Sequence, residues 1–78
     1  MLDLYFNDAQ GKYSYTLIHG ERRVLGWDNA LHHPYLVNFP HHFHREDGVV
    51  VRSPLAGVPE EDIEIVVTEL NQFLARRL

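Results

Sequence analysis

Five histidines fall within the thirteen residues that end at His44: His32, His33, His41, His42 and His44. Titratable groups gathered this closely mark sites, because their chemistry needs several of them at once. Imidazole offers two kinds of chemistry near neutral pH. In the favoured reading no metal is needed: one histidine takes the proton from an RNA 2′-hydroxyl and another protonates the leaving oxygen. The 41–44 cluster would supply base and acid, His32 or His33 would assist, and Arg45 with further imidazolium groups would hold the phosphate. In the alternative, neutral rings of His42, His44 and His33 bind a divalent transition metal such as zinc, with Asp28 as a fourth ligand or as the group that orients a ring. A third reading gives the histidines no chemistry at all. They would then be half-buried edge residues bonded to backbone carbonyls, on a domain that binds a partner.

Other chemistries are excluded by what is missing. Without cysteine there is neither a disulfide nor a thiolate metal site, and covalent acyl chemistry lacks a nucleophile set. No HExxH word and no glycine-rich phosphate loop occurs. The formal net charge of −4 does not suit a general nucleic-acid binder, but the charge is uneven. From Asn29 to Arg45 there is no acidic residue, whereas Glu60, Glu61, Asp62, Glu64 and Glu69 crowd the C-terminal part. A histidine window free of carboxylates can face an anion while the remainder repels it.

These residues need a scaffold that positions them. Leu2, Leu4 and Phe6 alternate with polar neighbours, predicting a first strand over residues 1–6, and residues 7–11 predict a turn. Lys12 to His19 alternates again, and His19-Gly20 suits a hairpin leading into a strand over residues 21–27. Strict alternation there puts Arg23, Leu25 and Trp27 on one face. Residues 27–34 read as a loop, in which Asp28-Asn29 forms a turn or Asp28 orients an imidazole. Tyr35 to Phe39 reads as extended, with the two histidine clusters at its ends, ~20 Å apart by strand rise unless Pro34 or Pro40 bends the chain. Glu46-Asp47-Gly48 predicts a turn into a strand over residues 49–52, and residues 53–59 predict a linker. A helix follows from Pro59, with acids in its first turn, an apolar stripe of Ile63, Val66, Val67, Leu70, Phe73 and Leu74, and Arg76 and Arg77 at its C-terminal end. The expected fold class is α+β: a small antiparallel sheet, a meander of about five strands, packed by a C-terminal α-helix.

The words Tyr13-Ser14-Tyr15, Trp27-Asp28-Asn29-Ala30, His32-His33 and Phe39-Pro40-His41-His42 with His44 resemble, in order and spacing, the TumE-like toxin components of toxin–antitoxin systems. Gly26, Leu31 and Phe43 stand where that family usually carries Arg, Pro and Lys. The resemblance implies a growth-inhibiting toxin held by a cognate antitoxin and acting by RNA cleavage, with Asp28, His32, His33, His41, His42 and His44 as the site. Trp27 or Tyr35 would stack a splayed base, and Asp28 and Asn29 would complete the substrate-binding set.

A chain of 78 residues is expected to form a single domain, residues 1–78, burying only ~60–65% of its unfolded surface. Its thin core and exposed first strand lead us to expect a homodimer or an antitoxin-bound form. No apolar run approaches the ~20 residues of a membrane-spanning helix, and no signal segment opens the chain, so a cytoplasmic protein is expected.

Overall fold

The computed structural model describes residues 1–76. Five strands form one antiparallel sheet in the order of the chain: β1 (Leu2–Asn7), β2 (Lys12–His19), β3 (Arg22–Asp28), β4 (His42–His44) and β5 (Val50–Arg52). One helix, α1 (Pro59–Ala75), follows. The α+β meander read from the alternation is therefore the fold. Arg77, expected at the helix end, lies outside the described residues.

Two of the hairpins close where the sequence places them. Gly20 (φ 66°) and Gly48 (φ 87°) adopt left-handed backbone, which the turns require and only glycine accepts freely. The Gly48 N–H donates to the Arg45 carbonyl at 3.0 Å, and the Arg45 N–H to the Val49 carbonyl at 2.9 Å, closing the β4–β5 turn.

One face of the sheet is core. Tyr13, Tyr15, Leu25 and Trp27 are buried with Val66, Leu70 and Phe73 of α1, while Leu17, Val24 and Phe43 pack against them. Trp27 pairs with Phe43 across β3 and β4, and their rings stack at 4.8 Å. The helix stripe is narrower than expected: Val67 and Leu74 are 43% and 53% exposed. A strip of three short-spaced residues suffices to cover so small a sheet. Residues 53–59 are more than a linker, because Leu55 is fully buried and the buried Ser53 accepts the Leu55 N–H. Asp62 turns inward from the first helical turn, and its carboxylate accepts the Ala56 and Gly57 N–H groups at 3.0 and 2.8 Å. That contact locks the approach to the helix, whose N-cap, Val58, has no side chain able to cap it.

Two expectations are corrected. Residues 35–39 are not extended but form successive turns, with Leu36, Phe39 and His41 N–H groups bonded to the His33, Leu36 and Asn38 carbonyls. Pro34 and Pro40 bound the segment and can donate nothing to a ladder, while Asn38 sits at φ 68°, where an asparagine is tolerated better than most residues. Its amide donates to the Ser53 and Leu55 carbonyls at 2.7 and 3.0 Å, tying the loop to the segment after β5. Strand pairing passes instead to His42–His44. The second correction concerns β3. The β2–β3 register slips between Leu17 and Ile18, so that Leu17 faces Leu25 but Ile18 faces Arg23. Val24 is the extra residue of a β-bulge, and a one-residue slip exchanges faces. Arg23 therefore leaves the face of Leu25 and Trp27 for the opposite one.

Candidate functional site

The face turned away from the helix carries the candidate site. Registers across the sheet place Tyr5, Ser14, Asp28, His42 and Arg52 in one row, and Gly26 beside His44 in the next. Alternation in β4 gives this face both His42 and His44 and leaves Phe43 to the core, so three consecutive residues serve two sides.

The centre of the site is one carboxylate between two imidazoles. Asp28 Oδ1 lies 2.9 Å from His42 Nε2 and Oδ2 lies 3.0 Å from His44 Nε2. The Ala30 N–H also donates to Oδ1 at 3.0 Å, fixing the carboxylate where the strand gives way to the loop. His42 is 2% exposed, and its Nδ1 donates to the Pro40 carbonyl at 3.0 Å. His42 is thereby held at both ring nitrogens, between the Pro40 carbonyl and the Asp28 carboxylate. His44 uses Nε2–H toward Asp28, which leaves Nδ1 without a partner among the described residues. Burial lowers the His44 pKa below its ordinary value, and the Arg23 and His42 charges lower it further against the opposing pull of Asp28. Burial thus favours the neutral form of His44, in which an Nε2–H on the carboxylate leaves a lone pair at Nδ1.

Around this centre lies a cleft of about 590 Å³ lined by Tyr5, Lys12, Ser14, Arg23, Asn29 and His32, among others. His33, at φ 61°, stands edge-on to His42 with ring centres 5.2 Å apart, and its Nδ1 meets the Tyr35 hydroxyl at 3.0 Å. The bend in the 34–40 loop has thus brought the two histidine clusters together. His41 faces elsewhere. It stacks on Tyr13, whose hydroxyl lies 2.7 Å from His41 Nδ1. Burial, helped by the charges of Asp62 and Asp28, pushes the Tyr13 phenol well above its ordinary range, so it keeps its proton. Burial likewise lowers the His41 pKa.

Other predicted residues have structural engagements. Trp27 is 2% exposed and stacked on Phe43, so no base can reach its ring. Asn29 accepts the Tyr13 N–H at 3.0 Å and donates to the Gly11 carbonyl at 2.7 Å, pinning the β1–β2 turn beside the cleft. Arg45 is ion-paired with Asp47 at 2.8 Å, away from the histidines. Tyr35 is exposed beside His33. Sequence reading missed Tyr5, Lys12 and Arg23 as cleft residues. Only the cross-strand register reveals the first two, and only the bulge reveals Arg23.

Asp28, His42 and His44 also offer three ligand atoms within 4.8 Å of one another, a geometry able to hold a metal ion.

A family model described as toxin TumE matches residues 3–76. The chain belongs to the TumE toxin family. Membership makes it a toxin component of a toxin–antitoxin system, with a cognate antitoxin as its partner. No curated protein and no solved structure matched the chain. Among the described residues of this TumE-family toxin, no helix is long and apolar enough to cross a membrane.

Proposed function

We propose that this toxin cleaves RNA by metal-independent acid–base chemistry, with His44 as the base. The observation that carries the reading is a contact: Asp28 engages His44 Nε2 and so leaves Nδ1 free in a residue that lines an open cleft. In the step, His44 Nδ1 accepts the 2′-hydroxyl proton as the 2′-oxygen bonds to phosphorus. The bond from phosphorus to the 5′-oxygen breaks, and His32, on the wall of the same cleft, returns a proton to that oxygen. The products are a 2′,3′-cyclic phosphate and a 5′-hydroxyl. The His42 ring is too enclosed to touch substrate; it holds Asp28 in place. Tyr5, aromatic and half-exposed in the row of Asp28 and His42, replaces Trp27 as the base-stacking ring.

The test is incubation of purified toxin with RNA in chelator, followed by chemical mapping of the new ends. Cyclic phosphate termini from the wild type, lost in His44→Ala, are expected. Absence of cleavage by the wild type rejects the reading.

The convergence of three ligand atoms favours one alternative, a non-catalytic site for a transition metal such as zinc. Elemental analysis of untagged protein after chelator washing separates the two, since a retained stoichiometric metal defeats the metal-free mechanism. For the free toxin we propose cytoplasmic residence, as a reaction on RNA demands, and a homodimer paired along β1, whose outer edge no strand covers among the described residues. Sedimentation of the toxin without antitoxin tests the dimer.

A further inference from the structure

A phosphodiester under attack gathers negative charge on its non-bridging oxygens, and a base alone does nothing for that charge. The cleft holds a cation in the right neighbourhood for a structural reason. The bulge at Val24 lets Val24 and Leu25 both pack toward the helix side and turns Arg23 onto the open face, opposite Ile18. Its side chain then runs across Gly26. A Cβ built on Gly26 would stand 3.2 Å from Arg23 Cδ and 3.8 Å from His44 Cδ2, so the missing side chain at Gly26 is the space through which Arg23 approaches His44. Arg23 lines the cleft with Asp28 and His44, and among the described residues its guanidinium forms no ion pair or hydrogen bond. Two cations nearby differ. Arg45 is spent on Asp47, and Arg22 lines a separate pocket with Leu17, Val24 and Phe73.

We propose that Arg23 is the phosphate-binding residue of the cleft, delivered to the open face by the Val24 bulge and admitted by the bare backbone at Gly26. The ligand class is a phosphodiester of single-stranded RNA. A guanidinium fits two phosphate oxygens at once, which an ammonium does not. The assignment rests on the RNA-cleavage reading above, but it makes a binding claim that is measured without cleavage.

The probe is a single-stranded oligoribonucleotide methylated at every 2′-hydroxyl, which cannot be cut by 2′-oxygen attack. Its affinity is followed by fluorescence anisotropy over a range of salt, with inorganic phosphate as competitor. Arg23→Gln is expected to weaken binding about tenfold, with the slope of log affinity against log salt falling by about 0.7, the share of one phosphate contact on a single strand. Arg23→Lys should keep the slope while kcat on cleavable RNA falls more than KM rises. Gly26→Ala, which keeps the charge but crowds its path, should weaken binding, and Arg22→Gln should change nothing. Folding of each variant is checked by circular dichroism; if Arg23→Gln fails to fold, Arg23→Lys and Gly26→Ala decide. Displacement of the probe by millimolar inorganic phosphate from the wild type and Arg23→Lys, but not from Arg23→Gln, supports the subsite. If the wild type binds the probe and Arg23→Gln binds it equally, or Arg22→Gln loses as much, the assignment is overturned and the nuclease reading stands. If the wild type neither binds the probe nor cleaves RNA, both fall.

Discussion

At the scale of single residues, the site depends on how one carboxylate distributes its oxygens. Asp28 Oδ1 serves His42 and the Ala30 N–H, while Oδ2 serves His44. The substitution Asp28→Asn preserves shape but offers only one acceptor oxygen for the two rings. The His44 tautomer is then no longer imposed, and the cleavage rate is expected to fall about 10²–10⁴-fold, the usual contribution of acid–base catalysis. A rate within about threefold of wild type would remove Asp28 from the mechanism, since that is well below the acid–base range. The pH profile has a defined sign. Burial lowers the His44 pKa, so the base stays unprotonated, and rate is retained, as pH falls through 6.5; the acid limb lies below that value. An acid limb centred above pH 6.5 would contradict the assignment. The pairing of His42 with His44 on one strand face was legible from their spacing alone. The role of Tyr13 was not, because a strand tyrosine that packs and a strand tyrosine whose hydroxyl reaches a histidine have the same pattern.

At the scale of elements, β2, β3 and α1 could be read from periodicity, because each is long enough for its alternation or stripe to repeat. β4 could not. It has three residues, too few to show a period, and sits next to an alternating run, Tyr35 to Phe39, which imitates a strand better than β4 does. What decides between them is backbone hydrogen bonding: prolines at both ends of the run and the Asn38 amide bound to two carbonyls favour turns. Asn38→Ala removes both of those bonds and places alanine at positive φ, so it is expected to cost about 2–4 kcal/mol in denaturant unfolding. Asn38→Gly, which relieves the backbone but not the lost amide, should cost less than Ala. Equal costs would mean that backbone conformation plays no part. The bulge was equally invisible, since Val24 and Leu25 satisfy an uninterrupted strand as well as a slipped one. Trp27→Ala would empty the centre of the core and is expected to cost about 3–5 kcal/mol, enough to unfold a domain with so little to spare.

At the scale of the whole molecule, stability and pH are linked through two half-buried histidines. In the folded chain His41 and His44 both have pKa values lowered chiefly by burial, from an ordinary 6.5. Below pH 6.5 the unfolded chain therefore binds more protons than the folded one, and stability falls with acidification until the folded histidines also titrate. Thermal melts should show Tm steady above about pH 7 and falling from about pH 6.5 downward, with the fall reduced in His41→Gln. A Tm that rises over that interval would reverse the sign and refute the linkage. The family and the overall architecture were readable because histidine words and element order survive in a linear pattern. The three-dimensional convergence on Asp28 was not, because it depends on how a short strand meets a bent loop.

The sheet has its helix on one side only, and the proposed reacting groups lie on the other. A growth-inhibiting protein is hard to produce, since the host selects against it, and the usual escape is a variant that has simply come apart. The two-sided arrangement offers another escape: substitutions at His44 or Arg23 leave the packed side untouched. Such silenced but intact chains are the natural reagents for capturing the antitoxin, and a screen of surviving clones should separate into two populations, broken ones altered at the packed side and folded ones altered at the open side.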